Sequence, residues 1–503
     1  MEESRKPSPA EAWARFRFAV IGPLLSSPPE LGELAQEIKR LSEKIWRHPI
    51  TGDPTTFGFS TIERWYYTAF HNPADPVTAL RRELRSDCGE CSIDSKLADA
   101  LRVQYTAYKE WSYLLHTENL ASLVKQKPEY GPMRSYTTIR RYMKRYGMLK
   151  QKRKRKGPQP RVDVQWEDRE VRSFESPYVG SLWHLDFHHC SRKVLAPNGQ
   201  WYTPIALGVH DDHSRVACHV QWYLSETTED LVHGFSQAIQ KWSLPRALIT
   251  DNGSAMKAAE FLQGLKRLGI HHDPTAPYSP YQNAKEEVFW GPLEGRLIAM
   301  LKHKKDLSLE FLNQATQAWV DIEYNRKHHS EIGSSPLDRY RTGRDVLRPS
   351  PSSEQLRLAF RMDARRTQRQ SDGTVSIEAV RFEIPARFRH LRHLTVRYAR
   401  WNLDLIHLVD AHADTLLCRL YPLDKEANAE GRRRRLEQCP GDVAPAPAGP
   451  GESSPEEIPP LLREILERYS QSGRPPGYIP KPFTDSIPQD ADATATDGKE
   501  ETA

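Results

Sequence analysis

Trp183-His184-Leu185-Asp186-Phe187-His188 and Ala247-Leu248-Ile249-Thr250-Asp251-Asn252-Gly253 are the two stretches whose reading decides the fold. Both are short runs of strand-forming residues, and each carries one aspartate. Asp186 lies mid-strand, where a carboxylate is costly if buried and unpaired. Asp251 ends a buried strand, and strand ends in α/β sheets are where ligands gather.

Working outward, Leu182 to Cys190 reads as one strand, Trp201 to Val209 as a second and Val216 to Leu224 as a third, with Asp211-Asp212-His213-Ser214-Arg215 turning between the last two. Residues 226–242 read as a helix, 247–250 as a buried strand and 255–268 as a helix. Ile270 to Asp273 reads as a strand, and a further helix begins near Tyr281. A three-strand meander followed by helix, strand, helix, strand and helix is the order of a ribonuclease H-like fold. Glu287 falls early in the last helix, after Pro277-Tyr278-Ser279-Pro280, and Pro292 should interrupt that helix soon afterwards.

The flanks are different in kind. Residues 29–73 read as helices around a turn. Leu31, Leu34, Ile38, Leu41 and Ile45 recur at helical spacing, and a second helix is opened by Ser60 as cap with Glu63 three residues on. A second such unit spans 94–148. Leu97, Leu101 and Tyr105 mark one helix, Trp111, Leu114 and Leu115 begin another, and Ser135 to Gly147 reads as a basic helix ended by glycine. Ile139 and Tyr142 would face a core there, leaving Thr138, Arg141 and Arg145 outward. Short helix, turn and capped helix is the helix-turn-helix pattern that enters DNA grooves.

The expected fold class is therefore multidomain α and α/β: a ribonuclease H-like core with N-terminal helix-turn-helix domains and a C-terminal small β-barrel. The expected division is 1–75 and 94–150 for the helix-turn-helix domains, 151–175 for a basic linker, 176–305 for the core and 306–360 for a helical extension. A β-barrel follows at 361–425, with strands at 374–377, 380–384, 394–398 and 405–409, then a flexible linker at 426–460 and a tail at 461–503. Ile458, Leu461, Leu462, Ile465, Leu466 and Tyr469 recur at helical spacing in the tail, but a lone helix this short is marginal without a core to bury its face. The tail is thus expected to dock on a partner, with folding back on the barrel or simple fraying as the alternatives.

Length and composition agree. At 503 residues the chain exceeds one ordinary core, and no apolar run approaches the roughly 18 residues of a membrane span. The polar start lacks the apolar stretch of a signal peptide, so a cytoplasmic, nucleoid-associated location is expected. The six cysteines do not make a disulfide framework. Only Cys88-x-x-Cys91 has metal-ligand spacing, and without nearby histidine pairs it reads as two free thiols. The net charge is only +6, yet no acidic residue occurs from Gly131 to Val162. That stretch holds Arg140, Arg141, Lys144 and Arg145, then Lys152, Arg153, Lys154, Arg155 and Lys156, a footprint for a polyanion. With Arg64 and Thr138, these are the candidate DNA contacts.

Taken singly, the acidic residues have ordinary readings. Asp186 could pair with a buried base, Asp251 could open a turn, and Glu287 could sit favourably at a helix N-terminus. Together they can converge on two Mg²⁺ ions, which Mn²⁺ can replace, leaving positions open for phosphate and water. At this point the chain resembles the integrase-core transposases and retroviral integrases, over about 180–345. Asp186 follows a tryptophan on the first strand, Asp251 sits in Thr250-Asp251-Asn252-Gly253, and Glu287 ends Pro277-Tyr278-Ser279-Pro280-Tyr281-Gln282-Asn283-Ala284-Lys285-Glu286-Glu287. Trp319, Tyr324-Asn325, His329 and Ser335-Pro336-Leu337 resemble the helical segment that closes the family's core. Tyr281 and Ala284 stand where the family usually has glutamine and glycine.

The resemblance implies a polynucleotidyl transferase with catalytic, metal-holding Asp186, Asp251 and Glu287. It would bind the ends of a DNA element, cut them at the 3′ end and join the freed 3′-OH to target DNA. The architecture resembles phage Mu-type transposases, which implies double-stranded DNA, a synaptic dimer or tetramer and an AAA+ ATPase that selects the target. The rivals are a ribonuclease H-like nuclease that only hydrolyses, and a domesticated transposase kept as a DNA-binding regulator. His188, two residues from Asp186 on the same strand face, could touch metal or phosphate but reads better as a packing neighbour.

Overall fold

The computed structural model describes residues 9–30, 32–81, 93–151, 174–275, 284–429 and 458–483, apart from the side chains of Ala284, Glu286, Glu287 and Ala427. The Cys88 and Cys91 thiols and the basic run Lys152 to Lys156 lie outside these residues. The chain divides into two compact units, Met1–Ser92 and Ile93–Ala503.

In the first unit, α1 (Pro9–Ser26), α2 (Leu34–Glu43), α3 (Phe59–Phe70) and the short α4 (Pro76–Ala79) close around Ile21, Ile38, Ile62 and Trp65. Between α2 and α3 the chain forms a small hairpin, β1 (Trp46–Arg47) with β2 (Pro54–Thr55), in place of a simple turn. Two expectations need correcting. Ile45 is exposed, because extended backbone at Lys44 has already ended α2. Ser60 does not cap α3. Gly58 holds that position with no side-chain cap, and the helix start is set by the buried face Ile62, Trp65, Tyr66 and Ala69. The long apolar helix α1 was not foreseen.

In the second unit, α5 (Ser95–Ala107), α6 (Tyr113–Gln126) and α7 (Tyr136–Arg145) follow the expected boundaries, each opened by a side-chain cap from Asp94, Ser112 and Ser135. Gly147 ends the basic helix region at a positive φ of 69°, where only glycine is unstrained.

The central sheet comprises β3 (Leu182–His189), β6 (Ile205–Asp211), β7 (Ala217–Tyr223), β8 (Ala247–Thr250) and β9 (His271–Pro274), in the order β7-β6-β3-β8-β9. The first three strands are an antiparallel meander, and β8 and β9 add in parallel across α8 (Thr228–Trp242) and α9 (Ala259–Arg267). This is the expected ribonuclease H-like order. Trp183, Leu185, Leu207, Val209 and Leu248 bury one sheet face with Phe235 and Phe261 of the helices. The strand expected at Trp201–Val209 is two. β5 (Trp201–Tyr202) pairs with β4 (Val194–Leu195), and Pro204, which has no N–H to donate, stands before β6 and accepts from Cys190 N.

The helix α10 (Ala284–Pro292) does not end at its proline. It continues through a π-helical stretch, Leu293–Ile298, which absorbs the missing N–H. α11 (Leu309–Ile322) lies along β7, followed by α12 (Pro336–Thr342) and α13 (Ser353–Ala359). A six-stranded, nearly closed barrel is then built from β10 (Met362–Thr367), β11 (Thr374–Ile377), β12 (Val380–Glu383), β13 (His393–Ala399), β14 (Asn402–Asp410) and β15 (Thr415–Pro422), in the order β10-β13-β14-β15-β12-β11. β10 and β15 exceed the strands expected. Met-Asp-Ala-Arg-Arg-Thr has no apolar alternation to announce a strand.

After α14 (Lys425–Ala429), the description resumes with α15 (Pro460–Gln471), whose placement corrects the expectation that its face has no core to meet and that it might fold back on the barrel. Leu462 and Ile465 are buried with Trp111 and Leu115 of the α5–α7 module and with α11 residues such as Trp319. Asn119 caps the start of α15 by accepting from Leu461 N, and Ser122 and Lys125 reach Glu464. Beyond it the chain runs on to β7 and α8. Ile479 N donates to Gln237 and Ile479 O accepts from Gln221, while Lys481 pairs with Asp230 and Glu229.

Candidate active site

Burial of Trp183 and Leu185 on one face of β3 forces His184, Asp186 and His188 onto the other. That face meets α10. Trp290 Nε1 donates to Asp186 Oδ2 at 3.2 Å, and His188 stacks on the Trp290 ring with centroids 4.9 Å apart. His188 Nε2 also reaches Glu294 Oε1 at 3.3 Å, so it packs and orients beside the site, as its better reading held. Directly across the β3–β6 ladder from Asp186 is Gly208, where a Cβ would lie 2.6 Å from the Trp290 ring. The indole crosses the sheet only because this residue has no side chain.

Asp251 follows β8, whose last residue Thr250 is in register with Leu185. Asp186 and Asp251 thus each follow the last paired rung, Leu185 with Thr250, and stand at the same level of the two neighbouring parallel chains. Asp251 Oδ1 accepts from Gly253 N at 3.0 Å, which fixes the turn. Glu287 is carried by α10, with its side chain outside the described atoms, and its position precedes Trp290 by one helical turn. Among the described residues no three His, Cys, Asp or Glu side chains gather as a metal group.

Sequence reasoning missed several neighbours. A Cβ on Gly253 would meet both Asp251 Oδ1 at 3.1 Å and Glu226 Oε1 at 3.5 Å, so Glu226 flanks Asp251. His189 lies 3.7 Å from the other Glu226 oxygen. Asp212, in the turn after β6, is fully buried and accepts from His184 Nε2 at 2.7 Å, from Ser176 N at 2.6 Å and from Lys285 Nζ. Burial pushes its carboxyl up, but the His184 and Lys285 hydrogen bonds outweigh this and hold it well below the usual carboxylate range. The adjacent Asp211 is pushed up by burial despite donors from Ser214 and Gly180. For Trp290 the available signal was its spacing of three from Glu287. For Asp212 the signal was the turn Asp211-Asp212-His213-Ser214-Arg215, which resembles the turn between the second and third strands of the integrase-core family but does not single out Asp212 within it.

The candidate DNA contacts among the described residues sit on two helices. Arg64 is exposed on α3. On α7, Ile139, Tyr142 and Met143 are buried, Thr138 is half-buried, and Arg140, Arg141, Lys144 and Arg145 are exposed. The face assigned to the core is the buried one, and the basic face points outward. Arg145 also lies over the Tyr146 ring at 5.9 Å. No helix among the described residues is long and apolar enough to cross a membrane.

Residues 177–280 match the family model described as the integrase core domain. The match takes in Asp186 and Asp251 and stops short of Glu287. No curated protein matches the chain. Among solved structures, the HTLV-2 integrase catalytic core domain in complex with magnesium is 20% identical, with 34% of this chain and 99% of that one covered at a TM-score of 0.27. The simian T-cell lymphotropic virus intasome in complex with PP2A regulatory subunit B56 gamma is 14% identical, covering 50% and 79% at 0.30. The catalytic core domain of BIV integrase is 22% identical, covering 32% and 94% at 0.25.

Proposed function

We propose that this chain is a DDE-type DNA transposase, which cuts the 3′ ends of a DNA element and joins them to target DNA. The observation that carries the reading is the placement of Asp186 on β3 and of Asp251 directly after the adjacent parallel strand β8, inside the stretch that matches the integrase core domain, with Trp290 of the helix that bears Glu287 bonded to Asp186. Three carboxylates offer only hard oxygen donors, which suit Mg²⁺ and also accept Mn²⁺. Asp186, Asp251 and Glu287 would hold two such ions, which supply charge neutralisation for phosphoryl transfer and lower the pKa of water. The chain's own part is positional. The β3–β8 ladder sets the spacing of the two aspartates, Trp290 fixes the Asp186 carboxylate, and the basic helix faces hold the duplex by its phosphates.

In this reading Arg64 on α3, and Thr138, Arg140, Arg141, Lys144 and Arg145 on α7, read element ends as helix-turn-helix units. The Lys152 to Lys156 run adds charge without sequence preference. Synapsis of two ends calls for a dimer or tetramer, and target choice for an AAA+ ATPase. Because the inner face of the tail is used in cis, such a partner would meet its outer side, where Ile479 is exposed.

Asp186→Asn, Asp251→Asn and Glu287→Gln should each abolish cleavage and joining of end oligonucleotides while leaving end binding intact, and Glu286→Gln should be much milder. Normal joining by Glu287→Gln would refute the assignment. A precut end that is hydrolysed but never joined would favour the hydrolytic nuclease instead.

A further inference from the structure

Asp212 touches both elements that carry the proposed cation ligands on this side of the site. Its backbone N donates to Leu182 O at 3.0 Å, and its Oδ1 accepts from His184 Nε2, so it grips β3 at two points within four residues of Asp186. The same Oδ1 accepts from Lys285 Nζ, on α10 two residues before Glu287. Lys285 Nζ also donates to Phe174 O at 2.6 Å and lies 4.2 Å from the Phe174 ring centroid. Ser176 N, two residues on, donates to the other Asp212 oxygen. The carboxylate is fully buried, and a buried charge persists only when its partners are complete. α10 has no ladder to locate it. In its first turn the described side chain of Lys285 reaches both the Asp212 carboxylate and the Phe174 carbonyl.

We infer that Asp212 is a positioning residue for the reaction centre: through Lys285 it fixes the first turn of α10, and so the backbone of Glu287, at a set distance from the strand of Asp186. The inference rests on the reading of Asp186 and Glu287 as cation ligands. It assigns Asp212 and Lys285 no contact with DNA or cation. Partners of this outer kind typically change metal affinity or activity about 10–100-fold when lost.

The test is a Mn²⁺ titration of the full-length protein, followed by electron paramagnetic resonance, with amide hydrogen exchange read over 284–292. Lys285→Met should weaken Mn²⁺ binding by about tenfold or more and speed exchange in that helix more than in the central sheet, with some loss of melting temperature because the buried Asp212 is left short of a partner. Lys285→Arg, which keeps a cation within reach of Asp212, should restore most of the affinity. Asp212→Asn should weaken Mn²⁺ binding at least as much, because it removes the negative charge that faces both His184 and Lys285. Wild-type Mn²⁺ affinity and exchange in Lys285→Met would overturn the inference while the carboxylate reading stood. So would an Arg variant as weak as the Met variant, since a contact that depended only on side-chain shape would behave so. Unchanged Mn²⁺ affinity in both Asp186→Asn and Glu287→Gln would instead break the carboxylate reading, and the inference with it.

Discussion

Asp186 on β3, Asp251 just after β8 and Glu287 on α10 have their backbones placed by different means. The strands are locked residue by residue: Leu182 to Leu185 face Ala247 to Thr250 in unbroken parallel register, and Trp183, Leu185 and Leu248 are fully buried. A slip of one residue would turn Asp186 into the core, so the burial pattern itself specifies the site. α10 has no such ladder. It is held by Trp290 on Asp186, by Lys285 on Asp212, within its π-helical stretch by Arg296 on Glu118 and Glu323, and just beyond it by Trp111 Nε1 on Ala299 O. Geometry set by a ladder is distributed over many small contacts. Geometry set by tethers is concentrated in a few residues, which makes it adjustable and easy to break.

If that contrast is right, the largest effects away from the carboxylates should come from the tethered helices. Leu462 of α15 is fully buried between α6 and α11. Leu462→Ala should cost about 2–5 kcal/mol, the range for a buried leucine that leaves a cavity. It should show as early loss of the α5–α7 module's protection in hydrogen exchange, before the central sheet opens. Simultaneous opening of sheet and module would mean that the two are not held differently.

The same module should be acid-sensitive. His116 on α6 is fully buried, with Nδ1 against Gln104, and burial lowers its pKa from 6.5 to about 4. Because the folded pKa lies below the unfolded one, the neutral ring's contribution is complete above pH 6.5 and is lost as pH falls towards 4, where the unfolded chain takes up a proton that the folded chain refuses. The loss should reach ~3 kcal/mol over that window. Urea unfolding at several pH values, compared with His116→Asn, measures it. An identical acid dependence in the variant would assign the sensitivity to other groups.

Legibility in the sequence follows the same division. The ladder strands were readable because period-two burial leaves its mark on local residues: Ala247 to Thr250 matches its expected boundaries, and the strand position of Asp186 and the strand-end position of Asp251 could be read locally. The caps at Ser135 and Gly147 were readable for the same local reason. What was not legible depends on partners distant in sequence. The docking of α15 joins residues more than 300 positions apart, from Ser122 to Glu464. Asp212 reads as a turn residue until His184 and Lys285 surround it. Pro292 predicts a break, and only a neighbouring structure that tolerates a π-helical stretch lets the helix run on. Gly208 is invisible as a requirement until Trp290 lies across it.

The smallest predicted effect is the most direct probe of a single tether. Trp290→Phe keeps most of the apolar bulk, which is buried with Phe289 and Leu293, and removes the Nε1 donor from Asp186. A hydrogen bond to a charged group contributes about 1.5–3 kcal/mol at most, and part of it returns if water reaches the carboxylate. Stability should therefore fall by only about 1 kcal/mol. Joining should fall more, by about tenfold, because a carboxylate free to rotate spends less time in the productive orientation. Gly208→Ala attacks the same contact from the other side: its Cβ would sit 2.6 Å from the indole and drive the ring away from Asp186. In the Trp290→Phe background that clash is relieved in part, so the two changes together should cost less than the sum of their separate effects. Full additivity would show that the indole does not link Gly208 to Asp186, and that α10 is placed by its other tethers alone.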